Sequence, residues 1–164
     1  MQSSTTESSE GAVANVGLTA AGGGRPEGGW STDSTRAVVE QFLQRLGEGD
    51  PERVAALFAE RVDWMIAENP AVPWMRPRST REDVAGHFAE LAAGTLPEEA
   101  GNTVEAVIVA GGEAVVTGRL SGAVRATGKR FESPFALRLV VEDGLITTYR
   151  VYEDSLAVAA AFAV

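Results

Sequence analysis

The feature that most constrains the fold is a series of four strand-like segments in the second half of the chain. They are predicted at residues 103–110, 114–126, 130–141 and 145–153, with glycine-containing turns at 111–112, 127–128 and 143–144. The turn at Asp143–Gly144 is the strongest hairpin signal, because Asp-Gly readily adopts the positive φ angles of a tight turn. Successive hairpins predict an antiparallel sheet, and the length of the segments predicts that it is curved.

Helical patterns occupy the first half of the folded region. The first helix is predicted over residues 34–46, with Asp33 or Ser34 as its cap. A second begins at Asp50, followed by a proline at the first helical position, and a third begins at the pair Ser79 and Glu82. A strand is predicted at residues 61–68, before a proline-rich loop.

Helices followed by a run of hairpins predict the α+β class. The expected architecture is a curved antiparallel sheet wrapped around three N-terminal helices, with a short C-terminal helix. Such a sheet and its helices enclose a cone, and a cone that is open at one end forms an apolar pocket.

Length and composition limit the possible functions. A chain of 164 residues is long enough for one domain, predicted over residues 31–164, and residues 1–30 read as a disordered Ser/Gly/Ala-rich tail. The net charge of −9 argues against binding to nucleic acid or to an anionic membrane. With no cysteine and one histidine, a metal site is not expected. Without a signal peptide or a membrane-length apolar run, a cytoplasmic location is expected.

Asp154 stands where the last predicted strand gives way to an alanine-rich helix, and two roles are open to it. As a cap, its carboxylate would accept N–H bonds from the first helical turn. At the rim of an apolar pocket, burial would make it a better proton acceptor. Strand alternation places Asp154 and Tyr152 on the face opposite to Tyr149 and Glu153, but the pattern does not show which face is turned inward.

His87 lies on the apolar face of the third predicted helix, beside Phe88. A lone histidine there is typical of a core residue bonded to a carbonyl, whereas in a pocket it would act as an acid or base near neutral pH. Trp64 and Trp74 are open to the same alternatives, as packing residues or as pocket walls. A further hypothesis is that His87 pairs with Asp154 across the cone.

Four segments carry a resemblance to a known family. They are GEGDPERVAALFAERVDWMI, VPWMRPRSTREDVAGHFAEL, ATGKRFESPFALRLVVEDGLI and YRVYEDSLAVAAAF. From residue 35 onward the chain resembles the nuclear-transport-factor-2-like superfamily in its SnoaL-like branch. That superfamily includes polyketide cyclases, ketosteroid isomerases, limonene epoxide hydrolases and non-enzymes, so the resemblance specifies the fold more narrowly than the function. It implies a protein without a cofactor that forms a homodimer through the outer face of its sheet.

The resemblance also implies roles for single residues. YRVYED is similar to the epoxide hydrolase strand that ends in Tyr-x-Asp, with the aspartate as base. It therefore implies that Asp154 accepts a proton and that this face of the strand is turned inward. The accompanying hypothesis is that His87 or Tyr152 helps to donate or orient a proton. The residues expected to contact the substrate are Trp64, Ile66, Trp74, Phe88, Arg119, Leu137 and Tyr149.

This chain lacks acids that two groups of enzymes in the superfamily use, which limits the reactions to be expected of it. An epoxide hydrolase needs a second acid two residues after Arg119, where this chain has Ser121. The two acids of ketosteroid isomerase fall at Ile66 and Leu137, which are apolar. The sequence therefore favours a cyclase or isomerase of a hydrophobic, polyketide-like intermediate in secondary metabolism. A non-catalytic dimeric module that binds a ligand or supports assembly is the alternative, and an epoxide hydrolase is the third hypothesis.

Overall fold

The computed structural model describes residues 31–163, so the predicted tail, which includes Trp30, lies outside the described residues. A short 3-10 helix at Pro97–Glu99 follows the third helix. The helices and strands are α1 (Thr32–Glu48), α2 (Pro51–Ala55), β1 (Phe58–Met65), α3 (Arg81–Gly94), β2 (Gly101–Ala110), β3 (Glu113–Ala123), β4 (Arg130–Glu142), β5 (Leu145–Glu153) and α4 (Ser155–Phe162).

The first two helices begin with side-chain caps. Ser31, rather than the predicted Asp33 or Ser34, caps α1, and its hydroxyl accepts a bond from the Ser34 N–H at 3.1 Å. Asp50 caps α2 as predicted, because its carboxylate accepts N–H bonds from the first turn. The α1 helix therefore begins two residues earlier than its apolar spacing predicted.

The third helix begins one residue later than predicted. Its capping box is formed by Thr80 and Asp83, not by Ser79 and Glu82. Ser79 is held in extended chain beside β1, since its carbonyl accepts the Val62 N–H at 2.9 Å. The predicted end of this helix at Gly94 is confirmed.

The five strands form one curved, open sheet in the order β1-β5-β4-β3-β2. The four strands from β2 to β5 are antiparallel, as their turns predicted, and β1 pairs with β5 in parallel. No hairpin fixes the direction of β1, which is why the local pattern could not predict this edge of the sheet. The α+β class and the curved sheet are confirmed.

The hairpin between β4 and β5 has the geometry that its sequence predicts. Asp143 has φ 51° and Gly144 has φ 77°, and Asp143 is the one non-glycine residue with positive φ in residues 31–163. Two consecutive positive φ angles match the right-handed twist of the flanking strands. The turn places Leu145 opposite Glu142, and an irregularity between Val140 and Val141 then shifts the register by one residue, so that Leu139 lies opposite Tyr149.

Two apolar clusters cover the inner face of the sheet. The first lies between the sheet and helices α1 to α3, and its fully buried members include Val39, Phe42, Phe58, Val84, Val116 and Leu139. The second lies beneath α4 and contains Ile66, Val72, Trp74, Met75 and Val158. Trp64, Leu91 and Val151 pack against both clusters while remaining partly accessible.

The outer face of the sheet carries ion pairs and a few exposed apolar groups. Arg138 bonds to Glu113 at 3.0 Å and Arg150 to Asp63 at 2.7 Å. Ile108 on β2 is 61% exposed. In residues 31–163, no helix is both long enough and apolar enough to cross a membrane.

Candidate functional site

The side chains of β5 divide between the two faces of the sheet. Tyr149, Val151 and Glu153 are turned inward, and Tyr149 is 6% exposed. Tyr152 is turned outward and is 50% exposed. The expectation that the Asp154 side of the strand faces the interior is therefore wrong, because Glu153 occupies the inward position at the end of β5.

Asp154 caps α4 and is exposed. Its Oδ1 accepts the Ala157 N–H at 3.0 Å, and its own N–H donates to the Ser133 hydroxyl at 2.7 Å. Of the two roles open to Asp154, the structure therefore shows the cap. Tyr152 is correspondingly placed on the outer surface, away from the interior of the cone.

Glu153 is a largely buried carboxyl group. Its Oε1 is inaccessible to solvent and has no hydrogen-bond partner in residues 31–163. Desolvation raises the pKa of Glu153, and the charge of Asp154 raises it further. A carboxyl group in these surroundings is a better proton acceptor when ionised than one in water.

An aromatic cluster lies on the same inner wall. The rings of Trp64 and Tyr149 stack with centroids 4.3 Å apart and planes at 17°. This contact follows from the sheet register, in which Trp64 on β1 is the direct partner of Tyr149 on β5. Burial raises the pKa of Tyr149, and the charge of Glu153 raises it further, so the phenol stays protonated at neutral pH. The Trp64 Nε1 is buried without an acceptor in the described part of the chain.

His87 lies in this cluster as a neutral imidazole. Its ring is 4.7 Å from that of Trp64, and its Nδ1 lies 3.2 Å from the Trp74 carbonyl. A carbonyl only accepts, so Nδ1 carries the proton and Nε2 is the acceptor nitrogen. Burial first, and then the charge of Arg78, lower the pKa of His87 to about 4. The hypothesis of a His87–Asp154 pair is wrong, since each is bonded elsewhere.

A cluster of charged side chains near His87 links α3 to the loop that precedes it. Arg76 and Arg78 both bond to Glu90, and the Arg78 side chain is only 1% exposed. The hydrogen bond from Arg76 is the main cause that lowers the pKa of Glu90. These arginines disfavour a positive charge on the imidazole, which keeps His87 neutral.

Four of the other residues expected to contact substrate are part of the apolar core. Trp74, Ile66, Phe88 and Leu137 are buried in the two apolar clusters. Trp74 packs against Phe162, with ring centroids 5.3 Å apart.

Arg119 does not reach the interior. It lies exposed on the outer face, where it bonds to Glu132 at 2.8 Å. The expectation that it contacts substrate inside the cone is therefore wrong. Side chains along β3 alternate between the two faces of the sheet. Because Gly118 takes a buried position, its neighbour Arg119 points outward.

The inner wall stays partly accessible near the start of α4. Besides Trp64, Val151 and Glu153, the side chains of Phe131 and Phe135 are only half-buried there. Two open hollows lie elsewhere, and neither is lined by Trp64, Val151 or Glu153: a groove of about 650 Å³ between α2 and α3, and one of about 440 Å³ at the ends of β3 and β4. In residues 31–163, no three His, Asp or Glu side chains are grouped to hold a metal ion.

Sequence reasoning passed over Glu153 in favour of its neighbour. The signal that could have found it is the character of the two faces of β5. Tyr149 and Val151, which share a face with Glu153, are both large and largely apolar, whereas the opposite face carries Thr148 and Arg150. The more apolar face of a strand is the one that packs inward.

The curved sheet, its helices and this inner wall can be compared with known proteins. Residues 39–149 match the SnoaL-like domain, which is more than half of the chain. The chain belongs to the SnoaL-like family. No significant match is found among curated proteins.

Solved structures share the SnoaL-like fold. An NTF2-like protein from Burkholderia xenovorans is 24% identical, with a TM-score of 0.69 over 82% of this chain and 100% of the other. An epoxide hydrolase of M. tuberculosis similar to limonene epoxide hydrolase is 15% identical, with a TM-score of 0.61 over 79% and 90%. A putative isomerase from Rhodopseudomonas palustris is 19% identical, with a TM-score of 0.61 over 74% and 89%. At these identities the likeness establishes the fold alone.

Proposed function

We propose that this SnoaL-like protein is a cytoplasmic, cofactor-independent isomerase or cyclase of a hydrophobic, polyketide-like intermediate in secondary metabolism. The observation that supports this most directly is the buried Glu153 carboxyl, whose Oε1 has no partner in residues 31–163. Such a group is costly in a folded protein, and a role in the reaction is a reason to retain it. Glu153 takes the part that the resemblance assigned to Asp154.

The proposed chemistry is a proton transfer next to a carbonyl group. The Glu153 carboxylate takes a proton from carbon, and the C–H electron pair forms a C=C bond while the carbonyl pair moves to oxygen. The Trp64 N–H, which has no acceptor in residues 31–163, donates to that oxygen. In an isomerisation, the enolate oxygen pair re-forms the C=O bond and protonated Glu153 returns the proton to another carbon. In a cyclisation, the enolate carbon attacks a second carbonyl carbon of the same molecule, the pair of that C=O bond moves to its oxygen, and protonated Glu153 gives the proton to that oxygen.

The apolar walls have a second role in this proposal. Trp64, Phe131, Phe135 and Val151 present partly accessible apolar surface on the inner wall, and Phe135 lies directly opposite Glu153. A flexible substrate folded against that surface loses the freedom that otherwise slows ring closure. Exclusion of water also strengthens the interaction between the substrate and the Trp64 N–H.

A binding module without catalysis is the second candidate. It is favoured by the exposed, helix-capping position of Asp154, which removes the acid implied by the resemblance. Epoxide hydrolysis is less well supported, since Arg119 is paired with Glu132 on the outer face and has no acid at Ser121. A homodimer through the outer face remains a proposal, supported by the exposed Ile108 and Tyr152.

The test is complementation of a strain from which the gene has been deleted. The wild-type gene, Glu153→Gln and Asp154→Asn are each returned, and the metabolite that accumulates in the deletion strain is quantified. We expect the wild type and Asp154→Asn to clear it, since asparagine also caps helices, while Glu153→Gln leaves it accumulated. Clearance by folded Glu153→Gln would contradict the proposal, and no accumulation in the deletion strain would favour the binding module.

A further inference from the structure

Glu153 is an acid without a counter-ion. No Lys or Arg in residues 31–163 pairs with it, and the charge that acts on it most strongly is another acid, Asp154. Buried carboxylates are ordinarily paired or hydrogen-bonded, because desolvation of an isolated charge is costly. Within residues 31–163, no side chain supplies a positive charge to balance that of Glu153.

The wall beside Glu153 is built from aromatic rings. Phe135 lies directly opposite Glu153 across the β4–β5 pair, and Tyr149 lies on the same face of β5. Trp64 stacks on Tyr149 from the neighbouring strand. Ring faces carry negative electrostatic potential and attract cations. The carboxylate and the rings therefore favour the same sign of charge in a ligand.

We propose that the hydrophobic ligand of this site carries a protonated amine, which pairs with Glu153 and lies against the rings of Phe135 and Trp64. The inference rests on the proposed function in one respect, the binding of a small molecule at this inner wall. The net charge of −9 also favours a cationic ligand, because it attracts cations toward the protein.

A protonated amine is also an acid that Glu153 can deprotonate. The N–H proton moves to the carboxylate oxygen, and the bonding electron pair stays on nitrogen. The free amine can then attack a carbonyl carbon within the same molecule, forming a C–N bond while the carbonyl pair moves to oxygen. The buried Trp64 N–H, which has no acceptor in residues 31–163, donates to that oxygen in this proposal. One carboxylate thus serves both to bind the ligand and to accept its proton.

The test compares two probes of the same shape and different charge. N,N-dimethylbenzylamine is protonated at pH 7, and isobutylbenzene replaces its nitrogen with carbon. Each is titrated into the full chain while the indole N–H resonance of Trp64, assigned with Trp64→Phe, is followed by NMR. We expect the amine to bind about ten-fold more tightly than the hydrocarbon. The preference should vanish in Glu153→Gln and persist in Glu142→Gln, which removes an exposed charge at the far end of the hairpin.

The outcomes separate this inference from the proposed function. Equal binding of both probes to the wild type would overturn the proposal that the ligand carries a protonated amine. Glu153 would then act as a proton acceptor for an uncharged substrate. A preference that persists in Glu153→Gln would overturn the pairing with Glu153. If neither probe shifts the Trp64 resonance, the inner wall is not a ligand site, and the amine and the proposed function fall together.

Discussion

Glu153 and Asp154 are neighbours in the chain, yet their carboxylates lie in opposite surroundings. Glu153 is turned to the inner wall of the sheet, with an oxygen inaccessible to solvent, whereas Asp154 is exposed and accepts the Ala157 N–H at the start of α4. The change from strand to helix between them separates the two roles. The second acid caps α4, and the first is the one for which we propose a chemical role.

Replacement of Glu153 by glutamine should stabilise the protein at neutral pH. The folded state raises the pKa of Glu153 by desolvation, so the stability associated with this group is fully present below its unfolded pKa and is lost as pH rises through the folded pKa. We expect Glu153→Gln to increase the free energy of unfolding at pH 8 by on the order of 1 kcal/mol. The gain should shrink toward zero near pH 4, as measured by urea denaturation at both pH values. A variant less stable than the wild type at pH 8 would contradict the burial of an uncompensated charge.

His87 should make the protein sensitive to mild acid. Its folded pKa of about 4 lies below the ordinary value of 6.5, so the stability it contributes is present above pH 6.5 and is lost as pH falls toward 4. A difference of about 2.5 units corresponds to roughly 3 kcal/mol. The difference in unfolding free energy between the wild type and His87→Gln should therefore change across this range, because glutamine can donate to the Trp74 carbonyl but does not titrate. A difference that is constant from pH 6.5 to 4 would contradict the lowered pKa of the buried His87 imidazole.

The capping role of Asp154 predicts a contrast between two substitutions. Asp154→Ala removes the acceptor of the Ala157 N–H and should cost about 1 kcal/mol of stability, whereas Asp154→Asn keeps an acceptor and should be nearly neutral. Thermal denaturation of both variants measures the contrast. Equal loss in both would mean that the negative charge matters more than the hydrogen bond.

Two glycines should respond in opposite ways to a methyl group. A Cβ at Gly94 would lie 2.6 Å from Trp74 Cζ3, so Gly94→Ala should destabilise the protein by about 1–3 kcal/mol. A Cβ at Gly47 in α1 meets nothing within 4 Å, so Gly47→Ala is the matched control and should stabilise the helix by about 0.5–1 kcal/mol. Melting temperatures that fall in the control and not at Gly94 would contradict the packing of Trp74 against the end of α3.

Local signals predicted much of the fold, and long-range pairing explains what they missed. The Asp143–Gly144 turn and the cap at Asp50 follow from neighbouring residues, and both are confirmed. The parallel pairing of β1 with β5 depends on contacts such as Trp64 with Tyr149, which are far apart in sequence and leave no local pattern.

Within β5, too, local sequence patterns did not suffice to predict the candidate site. Alternation along β5 separated Tyr149 and Glu153 from Tyr152, but it did not choose the inward face. That choice is made by the packing of Tyr149 against Phe42, Phe58 and Trp64, which come from other elements. The resemblance then pointed to Asp154, one position away from the buried acid.

The proposed chemistry requires Glu153 to be a buried proton acceptor on the inner wall of the sheet. The most direct test is an NMR titration of its side-chain carboxyl carbon, assigned by the loss of the resonance in Glu153→Gln. We expect a midpoint clearly above the ordinary glutamate pKa of about 4.3, because burial raises the pKa of Glu153. A midpoint at or below that value would mean that the carboxylate is solvated or paired, and would contradict a buried proton acceptor at Glu153.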